Sequence, residues 1–131
     1  WVDDHYRTKA KKAYRAIAGL SMGGFHSMQI SKEYPTMFNY VGLFSAAIFR
    51  GKEGVATYDN LDEKLDRQFK EGVELYWIGI GKDDFLYDEN VRYRELLDSK
   101  DHPYTYRESE GGHIWRNWRI YLGEYTQLLF K

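Results

Sequence analysis

Residues 17–25 read Ile17-Ala18-Gly19-Leu20-Ser21-Met22-Gly23-Gly24-Phe25, and this stretch decides the fold. An apolar, strand-like run ends in Gly19-Leu20-Ser21-Met22-Gly23. This is the Gly-x-Ser-x-Gly pattern of a nucleophile elbow, which sets a serine on a tight turn between a strand and a helix. Such a turn holds its central residue in a strained conformation, and side chains at positions 19 and 23 are expected to crowd the neighbouring backbone. The Ser21 hydroxyl then stands clear of the sheet. The backbone beside it opens a helix, where unpaired N–H groups favour developing negative charge.

The pattern is short and its residues are common, so its flanks carry the argument. Upstream, Ala13-Tyr14-Arg15-Ala16-Ile17-Ala18 reads as a buried strand. Downstream, residues 25–34 contain no Gly or Pro. Phe25, Met28, Gln29 and Lys32 share one helical stripe, with Ile30 and Tyr34 beside it, before Pro35 stops the run. Strand, elbow and helix are all in place.

Working outward, residues 3–12 read as the last turns of a helix. Strands are expected at Tyr14–Gly19, Asn39–Ser45, Leu75–Gly81 and Tyr104–Glu108. Helices are expected at Gly23–Tyr34, Leu61–Lys70, Phe85–Lys100 and Ile114–Phe130. In the second of these Leu61, Leu65 and Phe69 recur at one face and Gly72 follows the end. In the last, Trp115, Trp118, Leu122, Tyr125 and Leu129 recur. Residues 46–59 form a loop with two glycines, expected to wall a cleft. Alternating strands and helices argue for parallel βαβ units. Strands two and three are nearly continuous apolar runs, as when helices cover both faces. Ligands of open α/β sheets sit beyond the carboxyl ends of the strands.

At those ends lie Ser21, then Gly81-Lys82-Asp83-Asp84, then Gly111-Gly112-His113. A serine hydroxyl is a poor nucleophile near neutrality and needs a base beside it. Histidine takes the proton and returns it to the leaving group. A carboxylate fixes the imidazole tautomer. The order Ser, Asp, His is that of α/β-hydrolases. Among His5, His26, His102 and His113, only His113 falls at a late strand end. Asp83 and Asp84 are adjacent, and spacing leaves both open; the alternative role for either is to cap the following helix. The backbone N–H of Met22, the residue after the serine, is the first candidate oxyanion donor.

Composition adds bounds. The 131 residues suffice for one domain with a real core. There is no cysteine, hence no disulfide framework and no thiolate metal site. A net charge of −1 gives no argument for nucleic acid. No apolar run reaches the roughly 18 residues that span a bilayer. The chain opens at Trp1 rather than Met and enters mid-pattern, so its natural N-terminus is expected upstream and the compartment stays open. Aromatics make up 18% of residues, which suits an enzyme that meets sugars or phenolic rings as well as a packed core.

Ile-Ala-Gly-Leu-Ser-Met-Gly-Gly-Phe at 17–25, Gly-Lys-Asp-Asp-Phe-Leu at 81–86 and Gly-Gly-His-Ile-Trp-Arg-Asn-Trp-Arg at 111–119 together resemble the esterase D/feruloyl esterase family of α/β-hydrolases. That family includes feruloyl and acetyl xylan esterases and S-formylglutathione hydrolases. The resemblance runs over nearly the whole chain. Its Gly-x-x-Asp motif falls on Asp84, so the resemblance implies Asp84 as the acid beside Ser21 and His113. It implies a serine carboxylesterase working through an acyl-enzyme on feruloyl, acetyl or short-chain acyl esters, without metal or organic cofactor. The Gly-Gly-His-aromatic-Trp-Arg run looks closer to the xylan-associated branch than to the S-formylglutathione branch. Phe49, Phe85 and Trp115, each following a strand-end motif, are candidates for the acyl or aromatic pocket.

A member of that family has roughly twice this length, so residues 1–131 correspond to the C-terminal half of one domain. The loop expected to supply the second oxyanion N–H lies outside it. The strand at 14–19 becomes an open edge, where the missing half or a second copy is expected to pair. Other readings on the same residues are a thioesterase or acyltransferase of this fold, and a non-catalytic carbohydrate-binding fragment.

Overall fold

The computed structural model describes residues 1–49 and 56–131. Four strands form one sheet: β1 (Ala16–Leu20), β2 (Tyr40–Phe44), β3 (Leu75–Gly81) and β4 (Thr105–Ser109). They lie in chain order, and every neighbouring pair is parallel. Gly19 sits opposite Leu43, and Gly81 opposite Ser109, so all carboxyl ends meet at one edge. The helices are α1 (Val2–His5), α2 (Met22–Glu33), α3 (Leu61–Lys70), α4 (Tyr87–Ser99) and α5 (Trp115–Thr126), with short 3-10 turns at Lys12–Tyr14 and Ala56–Tyr58. No helix among the described residues is long and apolar enough to cross a membrane.

The sheet separates two cores because its side chains alternate between faces. Val41, Leu43, Tyr76 and Ile78 point toward α2, α3 and α4 and pack on Phe25, Met28, Leu61, Leu65, Tyr93 and Leu97. Tyr40, Phe44 and Trp77 point the other way, onto Trp118, Tyr121 and Tyr125 of α5. Each such large side chain contributes roughly 1.5–3 kcal/mol on burial. The rings of Phe44 and Trp77 meet edge to face at 5.4 Å, a geometry that adds about 0.5–1.5 kcal/mol. Tyr76 and Tyr93 share a hydrogen bond of 2.6 Å between buried hydroxyls, and burial pushes both phenols above their ordinary range.

The structure corrects several expectations. The helix expected over 3–12 ends at His5, and Tyr6 is extended. The basic stretch that follows has no apolar face to bury, and residues 6–11 are exposed. Tyr14 belongs to the 3-10 turn rather than to β1. On α2 the buried stripe includes Ser27 and Ser31 with Phe25, Met28 and Lys32, while Ile30 faces solvent. On α5 the seam is Asn117, Trp118, Tyr121 and Tyr125 rather than one that includes Trp115 and Leu122. Those two are 68% and 51% exposed. The helix is rotated so that Tyr121 lies over Phe44 and Trp77. In the expected cleft-wall loop, both glycines lie outside the described residues, and residues 46–48 are buried in the core.

Candidate active site

Ser21 stands where β1 becomes α2. Its backbone has φ 54° and ψ −118°, a sparsely populated conformation that costs of order 1–3 kcal/mol. The surroundings enforce it. The Ser21 N–H donates to Phe44 O at 2.8 Å, and its carbonyl accepts from Phe25 N at 3.2 Å and Ala47 N at 2.9 Å. A Cβ at Gly19 would collide with the Gly23 carbonyl, as expected. Position 23 differs from the expectation: nothing among the described residues lies within 4 Å of a Cβ there. The second glycine that sterics require is Gly24, where a Cβ would fall 2.7 Å from Ala46 Cβ.

His113 is carried by the loop after β4. Its Nε2 lies 2.9 Å from Ser21 Oγ, and its Nδ1 lies 3.0 Å from Asp84 Oδ2 and 3.2 Å from Oδ1. Asp84 is buried, and its Oδ1 also accepts the Leu86 N–H at 2.9 Å. Asp83, which spacing left open, is exposed, and the bond to His113 comes from Asp84. Neither aspartate caps α4; its N-cap position falls on Leu86, which offers no capping side chain. Three side chains from three strand ends therefore form one continuous hydrogen-bonded row. With an imidazole accepting from a hydroxyl on one side and donating to a carboxylate on the other, such a row can move a proton away from the serine oxygen.

The remaining histidines are occupied elsewhere. His5 meets Trp1 O at 2.7 Å. His26 is exposed on α2 beside Phe25. His102 lies 2.7 Å from Asp66 and stacks on Phe69. Among the described residues no cluster of three or more His, Cys, Asp or Glu could hold a metal ion.

The aromatic candidates divide. Phe85 lies against the His113 ring at 4.7 Å and is 57% exposed, so it stands at the mouth of the site. Trp115 meets Trp118 edge to face. It lines an open cavity of about 230 Å³ with Ala18, Gly19, Leu20 and Phe44, on the α5 side of β1. Phe49 packs instead on Tyr58 and Tyr93 in the core, so it does not join the site. Met22, 49% exposed, opens α2, where the first N–H groups have no acceptor within the helix.

Side chains to which the sequence reading gives no part in the site hold His113 in place. Buried Asn117 donates from Nδ2 to Glu110 O and Gly112 O, each at 3.0 Å, clamping the loop on both sides of Gly111. Gly111 itself has φ +80°. Trp118 meets the His113 ring edge to face at 4.8 Å, and its indole N–H donates to Ser45 Oγ at 3.1 Å. Asn117 and Trp118 both lie in the 111–119 motif that carries the resemblance, and Trp118 also recurs in the apolar stripe of the last helix, but the sequence reading assigns neither to the site.

A family model described as "Putative esterase" matches residues 1–126. An endo-1,4-beta-xylanase/feruloyl esterase of Xylanibacter ruminicola is 31% identical over 99% of this chain, which spans 16% of that protein. An acetyl esterase of Caldicellulosiruptor saccharolyticus is 26% identical over 92% of the chain, which spans 56% of it. The solved structure of an S-formylglutathione hydrolase from Staphylococcus aureus superposes with a TM-score of 0.80 at 23% identity, over 97% of this chain and 55% of that one. The fold is thus that of the α/β-hydrolase esterases, and the chain belongs to the esterase family.

Proposed function

We propose that the chain carries the active site of a serine carboxylesterase, with Ser21 as nucleophile, His113 as base and then acid, and Asp84 as the carboxylate that orients His113. The observation that carries this is the hydrogen-bonded row from Asp84 through His113 to Ser21 Oγ. Ser21 Oγ attacks the ester carbonyl carbon as His113 Nε2 takes its proton. The resulting oxyanion accepts from the Met22 N–H. Collapse expels the alcohol, which leaves with the proton from His113. Water, deprotonated by His113, then attacks the acyl-enzyme and releases the acid.

Plant-polysaccharide feruloyl or acetyl esters are the proposed substrates, supported by the activities that the names of the two sequence relatives give for those proteins. Phe85, beside the His113 ring, and Trp115, which lines the cavity beside β1, are the side chains proposed to meet the acyl group. A thioesterase of the S-formylglutathione hydrolase kind is the second reading, supported by fold likeness alone. Turnover of p-nitrophenyl acetate, methyl ferulate and S-formylglutathione by the intact protein separates these readings. Ser21→Ala is expected to remove esterase turnover while leaving the melting temperature within a few degrees; activity within tenfold of the parent would sink the assignment.

The same reading makes residues 1–131 the C-terminal part of one α/β-hydrolase domain. Among the described residues β1 has a neighbour on one side only. The proposal places the domain's earlier strands, or a second copy, along the other side. Light scattering on this chain alone is expected to show a species larger than a monomer. A monodisperse monomer with full turnover would overturn the proposal.

A further inference from the structure

Asn90 lies on the first turn of α4 and is 1% exposed. Its Nδ2 donates two hydrogen bonds of 2.9 Å, one to Leu86 O and one to Ala46 O. Each acceptor belongs to a segment that holds a member of the Asp84–His113–Ser21 row. Leu86 gives its N–H to Asp84 Oδ1. Ala46 precedes Ala47, whose N–H holds the Ser21 carbonyl. Ala46 is also wedged against Gly24 at the start of α2.

The amide has one usable orientation. Reversed, it would set an oxygen against two carbonyl oxygens. In the orientation present, Oδ1 has no partner among the described residues. Leu86, one turn before it, and Ala47, next to its acceptor Ala46, belong with Ile80 to a small apolar cluster. An apolar residue would fill that space without burying an orphan acceptor. What an apolar residue cannot do is donate to two carbonyls from different parts of the chain. The one nearer in sequence, Leu86 O, already accepts the Asn90 backbone N–H at 3.1 Å, so the bond that only this side chain supplies is the one to Ala46.

We infer that Asn90 is a positioning residue that ties the segment behind Ser21 to the segment carrying Asp84, and so sets the separation that His113 has to bridge. This rests on the triad reading above. Losing the tie leaves both segments folded but lets them move apart, lengthening one of the two contacts that His113 makes. The effect belongs in kcat rather than in KM, because Asn90 is buried behind the site and touches no bound ester.

Two variants of the intact protein test this. Asn90→Leu removes both bonds at nearly constant volume. Asn90→Ser keeps a hydroxyl able to donate to Leu86 O four residues back but is too short to reach Ala46. Both are expected to lower kcat at least tenfold with KM within about threefold. Both are also expected to shift or broaden the downfield proton resonance of His113 Nδ1, identified by its disappearance in Asp84→Asn. If Asn90→Leu does not fold, Asn90→Ser decides alone. Parental kcat and an unmoved resonance in folded Asn90→Ser would overturn the inference, leaving Asn90 a local helix residue. The triad reading fails by a different result, retained turnover in Ser21→Ala or Asp84→Asn.

Discussion

Ser21 and His113 meet at 2.9 Å, yet the two segments that bring them there are built on opposite principles. The elbow around Ser21 is held by backbone and by the absence of side chains. Its φ is positive, its N–H and carbonyl are tied to neighbouring main chain, and Gly19 and Gly24 make room for the crossing of strand and helix. The His113 loop is held by side chains brought from elsewhere: Asn117 from the start of α5, Trp118 leaning on Ser45, and Asp84 from the end of β3. A turn fixed by main-chain packing keeps its own shape, while Ala46, which packs behind it, is tied in turn to Asn90. A site made by tethers is only as well placed as each tether.

The largest test of this contrast is at Asp84. Asp84→Asn removes the acceptor that orients His113 and is expected to cost about 10⁴-fold in turnover. Asp83→Asn, on an exposed neighbour, is expected to leave turnover within twofold. Steady-state kinetics on the two variants decides between adjacent residues, and a damaging Asp83→Asn would overturn the choice.

The elbow is tested by stability. Gly19→Ala places a methyl into the Gly23 carbonyl and is expected to cost more than about 3 kcal/mol, since neither partner is a flexible side chain. Gly23→Ala meets open space and is expected to stay within about 1 kcal/mol, the range of the helix preference for Ala over Gly. Thermal melting of both variants measures the difference; equal losses would show that the elbow is not a steric device.

The tether is tested at Asn117. Asn117→Ala leaves Glu110 O and Gly112 O without their shared donor. At roughly 1 kcal/mol per hydrogen bond the loss is about 2 kcal/mol. Turnover is expected to fall about tenfold while the elbow stays intact. Circular dichroism melts together with kcat report the two parts separately, and an unchanged kcat would remove Asn117 from the account of the site.

The smallest effect lies away from both segments. Hydrogen bonds from Lys64 and then Lys32 hold the Glu33 carboxyl below its ordinary 4.5. Lys100 and then His102 do the same for Asp66 below 3.8. Both groups bind protons more readily in the unfolded chain, so their support is present above the ordinary values and is lost as pH falls through the lowered ones. Melting temperature is expected to drop as pH falls below the ordinary carboxylate range, and Glu33→Gln to flatten part of that slope by no more than a few degrees. A slope unchanged in Glu33→Gln would show that these pairs are too solvent-screened to count.

Local rules carried the sequence reading a long way. The glycine-flanked serine, the apolar runs of β2 and β3 and the Leu61–Leu65–Phe69 spacing of α3 each depend on residues within a few positions of one another. Alternating strands and helices were enough to give a parallel sheet and therefore a common edge for Ser21, Asp84 and His113. Resemblance, not spacing, singled out Asp84 over Asp83. What stayed illegible depends on how elements meet. The seam of α5 is displaced to Tyr121 because that ring finds Phe44 and Trp77 beneath it. Gly24 rather than Gly23 is sterically required because Ala46 comes from the following strand end. The amides of Asn90 and Asn117 matter through carbonyls they reach by folding, two of them 44 and 7 residues away in sequence. By itself the sequence determined the turn that exposes Ser21, because strain and backbone approach are written in adjacent residues. Only the tertiary structure decided how His113 is held against it, because a hydrogen bond between distant segments leaves no mark on either one alone.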